Sequence, residues 1–185
     1  MADRESLYRG AARGASGFAL GAVVVLVPVF VPITYTAGWL ATFMTIILGG
    51  LVAGGLLRAG SKTAVAFGIG FLPSGFMILM DSVAPQAMSR FDLWREVPAL
   101  MLWGAVFLTV TGAIGLAVSG LSPRVALACV AGFAVSGAIG GLLYGVSVAS
   151  MPRGYVPLFV TSVLVRFALS GAVAGAAFAH AAHRG

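Results

Sequence analysis

Six apolar stretches, each roughly 18 to 25 residues long and almost free of charge, recur along the chain with short polar breaks between them. They cover 15–35, 37–57, 63–80, 97–119, 124–148 and 156–180, and apart from Arg124 at the very edge of the fifth, the one full charge inside any of them is Arg166. A helix needs about 20 apolar residues to cross a hydrocarbon core about 30 Å thick. Backbone groups in lipid must be satisfied within their own segment, so runs of this length form helices. The pattern predicts an all-α integral membrane protein: one transmembrane domain over 1–185, built as a bundle of six helices. Breakers separate the spans at Ala59-Gly60-Ser61, Gly120-Leu121-Ser122-Pro123 and Ser150-Met151-Pro152-Arg153-Gly154. Pro28 and Pro32 blur the first boundary, because each removes a backbone donor and bends its helix. The first span is therefore expected to end near Val27 and to continue as an irregular outer segment.

Composition agrees with lipid as the solvent. The chain is 60% apolar and 9% charged, against about 25% charged residues in a soluble domain. Mean hydropathy is +1.06. The run from Ala15 to Tyr35 is too long for a secretory signal core and no convincing small-x-small cleavage site follows it, so it reads as a retained first helix. The net charge of +6 would suggest nucleic acid in a soluble protein. Here the basic residues occupy loops and termini, without a basic stripe interleaved with aromatics, and nucleic-acid binding is not expected. Arg4, Arg9, Arg13, Arg58, Lys62, Arg124 and Arg184 lie on one side of the bundle, and Arg90, Arg95 and Arg153 on the other. Positive charge retains short loops in the cytoplasm, so a plasma-membrane protein with both termini cytoplasmic is expected.

The external loop 81–96 is the sizeable one. Met88, Phe91 and Trp94 are spaced three apart, while Arg90, Asp92, Arg95 and Glu96 take the remaining directions. An interfacial amphipathic segment between helices 3 and 4 is expected, with Trp94 and Trp103 as interface anchors. A lid over a cavity is the sharper alternative.

The chain contains 26 glycines, many of them four apart: Gly17/Gly21, Gly50/Gly54, Gly137/Gly141/Gly145 and Gly171/Gly175. That spacing returns glycine to one helix face and lets two backbones approach closely. Phe-x-x-Ser-Gly occurs three times near mid-span, at Phe71–Gly75, Phe133–Gly137 and Phe167–Gly171. Either Ser74, Ser136 and Ser170 converge on a polar site within the membrane, or each serine bonds back to its own helix while the glycine receives a neighbour. Residues 50–75 also align with 112–137, matching Gly50/Gly112, Ala64/Ala126, Gly70/Gly132, Phe71/Phe133, Ser74/Ser136 and Gly75/Gly137. A repeated helical hairpin would relate helices 2 and 3 to helices 4 and 5 in parallel.

Candidate chemistry is sparse. Arg166 lies about ten residues into the last span, about 15 Å below the outer surface, where an arginine costs about 2.5–3.5 kcal/mol. No carboxylate is expected at its depth. Its partner is sought among backbone carbonyls, a wet pocket, lipid phosphate, a bound anion or another subunit. Asp81 reads as an interfacial cap, with pairing to Arg153 or Arg166 as the alternative. His180 and His183 are a weak metal signal, so no metal or cofactor is expected. The spans contain no chain of acids or histidines for proton relay, and nucleophile elbows, Cys-x-x-Cys pairs and phosphate loops are missing from the sequence. Catalysis is not expected. Cys129 is the single cysteine, so no internal disulfide is possible.

The stretch Gly49-Gly50-Leu-Val-Ala-Gly54-Gly55-Leu-Leu-Arg58-Ala-Gly60, continuing to Ala64, Gly68 and Leu72-Pro73-Ser74-Gly75, resembles small glycine-rich multi-pass proteins of halophilic archaea. That resemblance implies a prokaryotic membrane location and hairpin packing, with no activity attached. Pro32-Ile33-Thr34 is similar to biotin-type substrate-capture subunits of energy-coupling transporters, which also have six spans; their later Gly-Gly-Tyr and Asp/Lys positions have no counterpart here. Two expectations follow. One is a non-catalytic accessory or scaffold subunit that packs in lipid against other membrane subunits or itself. The other is a small solute transporter or capture subunit with Arg166 and the mid-span serines lining its site.

Overall fold

The structure, a computed structural model, describes residues 2–30, 38–58, 60–87, 93–150 and 156–182. They form α1 (Ala2–Phe30), α2 (Gly38–Leu56), α3 (Ser61–Ala87), α4 (Leu93–Leu116), α5 (Pro123–Ser150) and α6 (Val156–Ala182). All six helices are long and apolar enough to cross a membrane, and among the described residues there is no strand. Several run past their apolar stretches because polar end residues satisfy themselves locally. On α1 the exposed Arg9 and Glu5 form an ion pair one turn apart, extending that helix back to Ala2. Pro28 does not end α1 as expected: the helix continues through it to Phe30. The loop portion with Met88 and Phe91 lies outside the described residues, as does the Trp94 side chain.

The turns on the terminus-bearing side are tight. After α2, the Arg58 amide donates to the Gly55 carbonyl with Arg58 at φ 55°. Gly60, at φ 92°, leads into α3, and its carbonyl accepts from Ala64. Gly120, at φ 70°, follows α4. Pro123 then opens α5 at the first helical position, where its missing amide proton costs nothing.

Each helix packs chiefly on its two sequence neighbours, and α6 packs on α1, which closes a ring. Gly10 lies beside Gly175 and Gly14 beside Gly171, so α1 and α6 run antiparallel and both chain ends lie on one side. Five phenylalanines fill the interior. Phe18 meets Phe67, Phe71 and Phe133 with ring centroids 5.2, 5.5 and 5.7 Å apart, and Phe71 meets Phe167 at 5.1 Å. All five are fully buried. The ring encloses a packed aromatic plug, not a pore.

Glycine sets the spacing between helices. A Cβ at Gly14 would overlap the Gly171 carbonyl, one at Gly137 the Gly104 carbonyl, and one at Gly50 the Phe67 carbonyl. The other glycines of the four-residue series meet neighbours too: Gly17 and Gly21 face α2, Gly54 faces Ala64, Gly141 and Gly145 face α4, and Gly175 faces Gly10. Such smooth faces allow dispersion contact where lipid offers no hydrophobic drive between helices.

The aligned hairpins are equivalent in space. Gly50 and Gly112 each face the following helix, as do Gly70 and Gly132, while Gly75 and Gly137 face the preceding one. A third copy spans the chain ends. In α1, Gly17-Phe18 corresponds to Gly70-Phe71 and Gly132-Phe133: Gly17 faces α2, Phe18 enters the plug, and the buried Ala22 stands at the register of Gly75 and Gly137. Three helical pairs, α2–α3, α4–α5 and α6–α1, thus repeat around the ring.

Candidate functional site

Arg166 is 1% exposed and is the largest fully buried side chain. In a helix the Cα–Cβ bond tilts toward the N-terminus, which in α6 is the end opposite the chain termini. The guanidinium therefore lies one turn outward of its own Cα, and Nε–H donates to the Ser162 carbonyl at 3.4 Å. Nη1 reaches α3, donating to Asp81 Oδ2 at 3.2 Å and to the Met77 sulfur at 3.3 Å. Nη2 donates to the Gly140 carbonyl of α5 at 3.3 Å. Gly140 is also what makes room, because a Cβ there would strike the arginine's Cβ and Nε.

The ion pair corrects the expectation that no carboxylate lies at the depth of Arg166. Asp81 does not cap α3, which runs on to Ala87, and the arginine leans outward to meet it. Both side chains are nearly solvent-free, at 1% and 5% exposure. Removing one partner from such a pair would leave an uncompensated charge in hydrocarbon.

Tyr144 adds a third tie. Its hydroxyl donates to the backbone carbonyl of Asp81. In a regular helix that carbonyl would accept from residue 85, but Pro85 has no amide proton. The α5 tyrosine replaces the missing donor, as buried backbone acceptors in lipid require. Arg166, Asp81, Met77, Gly140 and Tyr144 thereby join α3, α5 and α6 at the end away from the termini.

The three serines do not converge. Ser74 bonds to Thr111 on α4. Ser136 donates to the Gly132 carbonyl at 2.7 Å, and Ser170 to the Arg166 carbonyl at 2.9 Å, each within its own helix. The partner glycines Gly137 and Gly171 receive α4 and α1. For these two motifs the local bond and close approach account for the sequence; at Ser74 the hydroxyl crosses to a neighbour instead. Trp103 is partly exposed, packs on Phe107 with centroids 4.5 Å apart, and walls a shallow groove with Phe76 and Met80. His180 lies in the last turn of α6, while His183 lies outside the described residues. Among the described residues no three metal-ligating side chains cluster, and Cys129 is buried.

Sequence reasoning missed the Asp81–Arg166 pairing as the principal feature, the role of Tyr144, and the Gly17-Phe18 copy of the repeat. Pro85 four residues after Asp81 was the available signal for Tyr144, since it orphans a carbonyl that some other donor must serve. A scan against protein-family models, a search of curated proteins and a search of solved structures each found no match.

Proposed function

We propose that this chain is a non-catalytic multi-pass membrane protein that serves as an accessory or scaffold subunit, packing against other membrane subunits or copies of itself. The observation that carries the reading is the engagement of Arg166 by groups within the chain. Its guanidinium is engaged by Asp81, Met77, Gly140 and Ser162, and the bundle centre beside it is filled with phenylalanine rings. A transporter would need that charge and the mid-span serines to face a wet cavity; here Arg166 and Ser74 reach across to neighbouring helices, and Ser136 and Ser170 bond within their own. Rigid glycine seams and a plugged interior suit a part whose work is to present a fixed outer surface. The excess of basic residues at the terminus-bearing end supports a reading with both termini on the cytoplasmic side of a plasma membrane.

Affinity purification in a mild detergent, with stoichiometry read from mass spectrometry of the intact complex, tests the proposal. A stoichiometric membrane partner or a defined self-assembly is expected. A monodisperse lone chain carrying a bound small solute would overturn it.

A further inference from the structure

We infer that the end of the bundle bearing both termini contains a binding site for an amphiphilic anion: a phosphate or carboxylate head on a short apolar body. A cavity of about 360 Å³ opens there between α1, α6 and the turns that follow α2 and α4. Pockets that hold small ligands begin at about this size. Arg13 and Arg58 line it together with apolar Leu57, Leu121 and Phe178, and no acidic residue does. Both arginines are exposed. Among the described residues neither forms an ion pair, whereas Arg9 is taken by Glu5 and Arg166 by Asp81. Two guanidinium forks above an apolar floor match a charged oxygen-rich head with a hydrocarbon attachment, since each fork can bind such a head through paired hydrogen bonds.

The turn geometry adds to this. Arg58 holds a left-handed backbone conformation that glycine adopts far more readily. The chain thus places a guanidinium at the lip of the cavity where the backbone alone would favour no side chain. Across the cavity Gly120 leaves open space where a Cβ would stand. The C-terminal ends of α2, α4 and α6 oppose an anion by about half a charge each. The full charges of Arg13 and Arg58 exceed that sum, and Lys62 and Arg124 at the same end add to the positive field.

The test is thermal unfolding of the purified full chain in an uncharged detergent. The readout is a thiol-reactive dye, which reports unfolding through the buried Cys129. Inorganic phosphate and dioctanoyl phosphatidic acid are titrated separately at matched ionic strength. A saturable rise in melting temperature is expected. R13Q and R58G should each weaken the apparent affinity at least about tenfold. R124Q, which removes the same charge at the same end from outside the cavity, should leave it unchanged. R58G relieves the left-handed backbone, so it should fold at least as well as the parent chain. Saturation by phosphatidic acid alone, or at least about tenfold more tightly than by phosphate, supports the site. Phosphate binding as tightly would show that the apolar floor takes no part and would overturn the amphiphilic assignment. No saturable shift with either probe, or an R124Q loss equal to that of R58G, would overturn it.

Discussion

Arg166 and Arg58 carry the same side chain toward opposite ends of one bundle, and the contrast between them shows what depth does to an arginine. Arg166 is sealed among α3, α5 and α6, and its donors are spent on a carboxylate, a sulfur and two carbonyls. Arg58 stands exposed at a turn, with no ion pair among the described residues. In hydrocarbon an unpaired charge is costly enough that the fold must supply partners. At the headgroup layer water does so, and the side chain stays available. The first arginine is part of the architecture, and the second is free to meet something else.

The contrast breaks most visibly if the deep arginine loses its counterion. Asp81→Ala is expected to lower stability by about 3–5 kcal/mol, because it leaves the guanidinium charged and unpaired. Denaturation in mixed detergent micelles would read this. Replacing both members, Arg166→Met with Asp81→Leu, should recover most of the loss, since neither charge is then stranded.

The glycine seams give the next largest effect. Gly14→Val would press a branched side chain into the Gly171 carbonyl and should cost about 1–3 kcal/mol or prevent folding. Gly55 meets nothing within 4 Å, so Gly55→Ala should be neutral or stabilising by up to about 1 kcal/mol through helix propensity. Melting temperatures of the two variants sharpen the difference between a seam glycine and an idle one.

Tyr144→Phe should cost about 1–2 kcal/mol by orphaning the Asp81 carbonyl. In a Pro85→Ala background, where an amide proton returns, that cost should shrink toward zero. A double-mutant comparison by thermal unfolding checks it. The smallest effect is at the shallow arginine: Arg58→Gly should leave stability unchanged or raise it by about 1 kcal/mol, measured by the same melt.

Much of the fold was legible because lipid imposes a simple rule. The lengths of the charge-free runs gave six helices, and four-residue glycine spacing marked the seams at Gly14–Gly171 and Gly104–Gly137 only in part, since Gly10, Gly14 and Gly104 lie outside the runs singled out. The ion pair was harder to see. Hydropathy ends the third span at residue 80, and the helix continues past that point, so Asp81 reads as a cap until the direction of the arginine side chain is considered. The Gly17-Phe18 copy was obscured by fixing on Phe-x-x-Ser-Gly, whereas the feature repeated in space is a glycine facing the next helix followed by a phenylalanine in the plug. Serine convergence failed for a local reason: Ser136 and Ser170 each donate to the carbonyl four residues back in their own helix.

The most direct measurement is a double-mutant cycle on Asp81→Asn and Arg166→Gln by unfolding in mild detergent. Coupling of about 2 kcal/mol or more is expected if the deep charge is neutralised inside the chain. Additivity within about 0.5 kcal/mol would mean that Arg166 answers to lipid, water or another chain, and would contradict it.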